Sequence, residues 1–192
     1  MAELKRCPWC IKDPLLMQYH DTEWGRPEHR DAALFEFILL DTFQAGLSWK
    51  TVLNKRANFK TAFDQCNPKK IAKYSEGKIN ELLQNEGIIR NRQKINAVIT
   101  NARAFIQIQQ EFGSFDTFIW QFTNYQTLHQ KWATPEEVPV RSAESDAMSK
   151  ELIRRGFKFV GSTICYAFMQ SIGMINDHLI TCHRYKELKK SK

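Results

Sequence analysis

The chain has 192 residues, 43% hydrophobic and 26% charged, a length that suits one domain or two small lobes around a shared core. No run of about 18 apolar residues is present, which argues against a membrane-spanning helix. The 28 Lys and Arg exceed the 21 Asp and Glu, and the net charge of +7 favours an anionic partner, nucleic acid before others, although such a surplus also serves plain solubility. Residues 1–6 lack the apolar stretch of a secretory signal. The five cysteines, an odd number, are expected as free thiols or metal ligands rather than disulfides. A cytoplasmic location is expected.

In chain order, Cys7 and Cys10 form a Cys-x-x-Cys pair, and the segment Tyr19-His20-Asp21-Thr22-Glu23-Trp24-Gly25 concentrates aromatic and titratable side chains. Residues 32–41 are apolar on several sides, which predicts a deeply buried helix closed by Asp41. A carboxylate buried there is costly without a partner, which makes Asp41 a functional candidate; a solvent-facing helix end is the plainer alternative. Gly46-Leu47 suits a tight turn with an exposed apolar tip, followed by Ser48 as the cap of the next helix.

Residues 83–95 predict a helix running into Gly87 and a second beginning near Ile89. Backbone N–H groups at that second helix start suit a phosphate, with Arg90, Arg92 and Lys94 adding positive charge. An ordinary turn with a solvated basic face fits equally well. Across residues 90–110, Ile95, Val98, Ile99, Ala102, Phe105 and Ile106 recur at spacings of three and four, the mark of an amphipathic helix.

Ser114 is placed to cap a helix through Phe122, and Ser145 one through Arg155, with Gly156 ending it. Pro135 and Pro139 make 123–144 the loosest region, residues 161–173 read as a buried helix, and the charged tail from Lys186 is expected to fray. Strand signals are weak. The expected class is all-α, with roughly eight to ten helices.

His178 and Cys182 are four residues apart and project the same way on a helix or turn. Alone, such a pair is more often two ordinary half-buried side chains. With Cys7 and His20 it makes a set of two thiolates and two imidazoles suited to tetrahedral zinc, with Cys10 and His183 as rival ligands. Four protein ligands leave no open position, so such a site would be structural, tying the two ends of the chain together.

At Cys7-x-Trp9, Tyr19-His20-Asp21-x-Glu23-Trp24-Gly25, Gln44-Ala45-Gly46-Leu47-Ser48-Trp49, Gly87-Ile88-Ile89-Arg90, Arg155-Gly156-Phe157-Lys158-Phe159-Val160-Gly161 and Asn176-Asp177-His178, the chain closely resembles the DNA-3-methyladenine glycosylase I family. The segments run in the family's order from about residue 5 to 185. The resemblance implies a helix–hairpin–helix glycosylase fold, one unit over 1–192. Its helix–hairpin–helix lobe would span about 28–112, and 1–27 plus 113–192 would form a zinc lobe. It implies structural zinc on Cys7, His20, His178 and Cys182, leaving Cys10 without a counterpart. It places Tyr19 and Trp49 in a base pocket lined by Trp9 and Trp24, Gly46 and Leu47 in the gap left by an extruded nucleotide, and Gly87, Ile88, Arg90 and Lys94 at the phosphate backbone.

The implied activity is monofunctional hydrolysis of the N-glycosidic bond of 3-methyladenine in double-stranded DNA, leaving an abasic site and free base, by a monomer. Asp41 stands where the family usually carries a catalytic Glu. One methylene fewer withdraws the carboxylate by about 1–1.5 Å, enough to break a hydrogen bond or admit a water. Leu16 stands where some relatives place a pocket Tyr. An altered-specificity enzyme or a non-catalytic binder of damaged DNA is therefore the main rival. A zinc-stabilised helical regulator would need a base-reading helix, and no segment stands out as one.

Overall fold

The structure is a computed structural model that describes residues 4–190; residues 1–3 of the N-terminal stretch and 191–192 of the charged tail lie outside the described residues. Eleven α-helices are present among the described residues: α1 (Pro14–Thr22), α2 (Asp31–Gln44), α3 (Trp49–Leu53), α4 (Arg56–Ala62), α5 (Pro68–Ile71), α6 (Glu76–Gln84), α7 (Arg92–Phe112), α8 (Phe115–Trp120), α9 (Ala143–Arg154), α10 (Ser162–Ser171) and α11 (His183–Lys190). Two two-residue strands, β1 (Leu128–His129) and β2 (Ile175–Asn176), pair in parallel. No helix among the described residues is long and apolar enough to cross a membrane.

The central helix is α2. Its residues Leu34 to Phe43 are all buried, because α7, α8 and α10 pack around it and leave it no polar face. The helix runs on to Gln44, so Asp41 lies inside its last turn rather than at its end. The long α7 follows its three-and-four pattern, burying Ile95, Val98, Ile99, Ala102 and Phe105. It starts at Arg92, because Asn91 caps it by accepting from the Lys94 amide.

Local capping explains two further boundaries. Ser114 caps α8 through the Thr117 amide, but the α-helix stops at Trp120 and a 3₁₀ turn covers Gln121–Thr123. Ser142, not Ser145, caps α9; Ser145 sits three residues on and accepts in return from the Ser142 amide, a reciprocal box that the sequence disguises because both partners are serine.

The Pro-rich stretch 123–144 is anchored where Leu128 N donates to Met174 O at 2.8 Å and Gln130 N to Asn176 O at 3.2 Å. Within the described residues the tail is helical where fraying was expected: α11 continues to Lys190, with Tyr185 and Leu188 buried on one face. The two ends of the described chain meet, since the Lys5 carbonyl accepts from His183 N at 2.9 Å.

Candidate functional site

A cleft of about 390 Å³ opens between the N-terminal segment, the start of α3 and the body of α10. Trp9, Tyr19, Trp24 and Trp49 all line it, although they come from three separate stretches of sequence. The rings of Tyr19 and Trp49 lie 5.2 Å apart at 48°, and those of Trp9 and Trp24 lie 5.1 Å apart at 78°. Tyr19 is buried, and its hydroxyl donates to Ser171 Oγ at 3.0 Å. Burial pushes that hydroxyl well above its usual pKa. The indole Nε1–H of Trp49 is buried without an acceptor.

Asp41 does not line this cleft. It borders a separate small cavity with Ile38, Phe159, Val160, Ile164 and Phe168. It is 1% exposed, and both carboxylate oxygens lack a hydrogen-bond partner. Burial without a counter-charge lifts its pKa well above the usual carboxylate range. Asp41 is still close enough to Tyr19 to raise that group's pKa electrostatically.

Between α2 and α3 the chain reverses in four residues. Leu47 N donates to Gln44 O at 2.6 Å, and Gly46 takes a φ of +75°, which a type II turn requires at its third position. Leu47 stands out at the tip, 42% exposed. Ser48 accepts from the Thr51 amide and starts α3, which sets Trp49 at the cleft mouth.

The α6–α7 connection differs from its expected form. The second helix begins at Arg92, and Gly87 donates its N–H to Asn85 Oδ1 at 2.8 Å while its carbonyl accepts from Asn58 Nδ2 at 3.2 Å. A Cβ at 87 would lie 3.1 Å from the Asn58 side chain, which would have to shift by a few tenths of an ångström to admit it. Ile88 turns its side chain into the core, and Arg90 stays half-exposed beside Glu86.

Lys94 is a correction. Expected at a phosphate, it is 6% exposed, and its ammonium donates to the Phe43 carbonyl at 2.7 Å and to the Ala45 carbonyl. One turn into α7, its side chain faces the end of α2 instead of solvent.

Cys7, His20, His178 and Cys182 are all buried, and their donor atoms lie within 4.8 Å of one another. His178 Nδ1 is 3.1 Å from His20 Nε2, 3.5 Å from Cys182 Sγ and 3.8 Å from Cys7 Sγ. A tetrahedron with ordinary zinc–sulfur and zinc–nitrogen bonds has edges of about 3.3 Å between nitrogens and about 3.6 Å between nitrogen and sulfur. The four residues therefore fit such an ion in both chemistry and spacing.

The outer nitrogens are held as well, His20 Nδ1 by Asp21 at 2.8 Å and His178 Nε2 by the Trp24 carbonyl at 3.0 Å, which turns the other nitrogen of each ring inward. A shared hydrogen bond raises the pKa of Cys7 and lowers that of Cys182. Both rivals point elsewhere: Cys10 Sγ donates to the Cys7 carbonyl, and His183 Nδ1 donates to the Lys5 carbonyl. The cleft and the cluster share a wall, because Cys7 and Trp24 border both.

Among the cleft residues that the sequence did not single out are Ser171 and Asp177. Ser171 had no signal of its own. Asp177 was seen only inside a motif, yet it is 2% exposed and accepts from Trp132 Nε1 at 2.8 Å, Tyr166 Oη at 2.7 Å and Gln170 Nε2 at 2.8 Å. An invitingly placed acid one residue before a candidate ligand was the available clue.

A family model described as methyladenine glycosylase matches residues 9–185. The chain is 49% identical over 182 residues to DNA-3-methyladenine glycosylase 1 of Escherichia coli (strain K12), covering 95% of this chain and 97% of that one. A crystal structure of a 3-methyladenine DNA glycosylase I superposes with a TM-score of 0.91 at 49% identity, over 93% of this chain and 98% of that one. The Staphylococcus aureus 3-methyladenine DNA glycosylase I, solved to explain its recognition of 3-methyladenine, superposes with a TM-score of 0.90 at 30% identity, over 95% and 97% of the two chains.

Proposed function

The chain belongs to the methyladenine glycosylase family, and from that premise we propose that it is a DNA repair hydrolase releasing 3-methyladenine from alkylated double-stranded DNA. The observation that carries this reading is the convergence of Trp9, Tyr19, Trp24 and Trp49 on one cleft. A base inside a duplex cannot be reached, so it must be extruded. Leu47 fills the vacated gap, and the α6–α7 turn with Arg90 holds the strand backbone.

In the cleft the methylated base stacks against Trp49. A purine methylated at N3 is cationic in the nucleoside, and electron-rich indole faces favour it over neutral adenine. The unpartnered Trp49 Nε1–H supplies a donor for the base edge. Asp41 supplies the electrostatic part. Burial lifts the pKa of its carboxyl in the free protein, and a cationic base brought near it favours the ionised form.

Water adds to the anomeric carbon of the sugar, the glycosidic electron pair leaves with the base and cancels its charge, and a proton passes to solvent. An abasic site remains. The commitment of Lys94 to two carbonyls supports a reaction without a Schiff-base intermediate. Structural zinc on Cys7, His20, His178 and Cys182 would cross-link the ends of the chain behind the cleft; it takes no part in the reaction.

A second reading, a binder of damaged DNA with little or no base release, is favoured by one observation: Asp41 faces its own cavity and not the cleft. Incubation with DNA methylated at adenine N3 separates the two. Free 3-methyladenine is the expected product. Tight binding to that DNA with no released base would establish the binder instead.

A further inference from the structure

Lys94 is buried, with no ion-pair partner among the described residues; its ammonium lies 6.0 Å from the centre of the Phe159 ring. Burying such a charge is costly, and a methionine would fill the same volume without that cost. What the charge does here is satisfy carbonyls. The last turn of α2 leaves its C=O groups unpaired, at the negative end of the helix dipole. Lys94 takes those of Phe43 and Ala45. Between them stands Gln44, whose own carbonyl closes the turn by accepting from Leu47 N at 2.6 Å. One side chain from the first turn of α7 thus fixes both flanks of the turn that presents Leu47.

We infer that Lys94 is a positioning residue that locks the Leu47 turn to the α6–α7 hairpin, so that the strand-holding and gap-filling elements act as one rigid body. The inference rests on the glycosylase reading for its consequence in repair. The mechanical coupling stands on geometry alone. The Lys94 ammonium is turned to backbone carbonyls, which separates it from the solvent-facing Arg90.

The test compares the parent protein with Lys94→Met and Lys94→Arg. Three quantities are measured: amide hydrogen exchange over residues 44–48, the salt dependence of binding to duplex DNA, and single-turnover release of 3-methyladenine. Lys94→Met is expected to quicken exchange across the turn at least tenfold and slow base release by about 10- to 100-fold. Its salt dependence should match the parent's, and Lys94→Arg should recover part of the rate. A salt slope reduced by about one would make Lys94 a phosphate contact and overturn the inference. Unchanged exchange in a folded variant would overturn it as well. Should Lys94→Met not fold, Lys94→Gln, which keeps one donor group, carries the same three measurements. A parent that releases no base defeats the glycosylase reading and leaves the exchange result to decide the coupling.

Discussion

His20 Nε2 and His178 Nδ1 lie 3.1 Å apart, although 158 residues separate the two histidines in sequence. Two imidazole nitrogens that face each other with two cysteine sulfurs around them make a poor hydrogen-bond cluster and a good ligand set. The purified protein should therefore carry about one zinc per chain, measured by elemental analysis. Cys182→Ser should lose the metal and about 3 kcal/mol or more of stability. For a chain of this size that corresponds to roughly 10 °C in melting temperature. A variant that keeps the parent's stability with no metal bound would refute a structural ion.

Trp49 lines the cleft and is the stacking surface in the proposed reaction. Trp49→Ala should reduce kcat/KM for 3-methyladenine release by about 10- to 100-fold, the usual worth of one base–aromatic stack. Binding to undamaged duplex should hardly change, which a fluorescence titration would report. Equal losses for damaged and undamaged DNA would move Trp49 out of the base site.

For Asp41, the folded carboxyl titrates well above its unfolded value of about 4 because burial penalises the charge. Between those two values the folded state holds the extra proton. Stability is thus full below about pH 4 and falls as pH rises through the folded value. Asp41→Asn should flatten that slope, raise the melting temperature at pH 7, and slow base release by about tenfold or more. A lower melting temperature than the parent's at pH 7 would show that the carboxyl finds a partner in solution.

Leu47 should be separable from folding. It is exposed at a turn tip, so Leu47→Ala is expected within about 0.5 kcal/mol of the parent in stability. Base release from a fully paired duplex should slow about tenfold. A lesion opposite a mismatch, already easier to extrude, should be much less affected. Equal slowing on both substrates would remove Leu47 from the gap-filling role.

Asp177 gives the opposite expectation. Asp177→Ala leaves Trp132 Nε1, Tyr166 Oη and Gln170 Nε2 without their acceptor. Stranding one buried and two partly buried donors should cost about 3 kcal/mol, read by denaturant unfolding. A near-neutral result would mean that water reaches the site and replaces the carboxylate.

Much of this architecture was legible because periodicity and chemistry agreed. The α7 stripe from Ile95 to Phe105 is a repeat that only a half-buried helix needs, and the structure follows it. The Cys7, His20, His178 and Cys182 set was legible as chemistry, yet spacing could not reject Cys10 and His183; only three dimensions show where their side chains point. Lys94 was misread for a general reason. A lysine beside a basic turn looks like a surface charge, and nothing local reveals that two carbonyls from a helix some 50 residues earlier are waiting for it. Asp41 shows the converse. Its burial was expected, but which cavity it borders depends on how α10 packs against α2, and that is a tertiary choice.

The meeting of Cys7 and His20 with His178 and Cys182 also sets an order of events during synthesis. Nearly all of the helical core precedes His178 in the chain, so α2, α7 and their neighbours can pack while the last ligands are still being made. The aromatic cleft shares a wall with that cluster, so the wall is complete only once Cys182 has been made. A polypeptide interrupted before that residue would hold a folded body with an unfinished cleft.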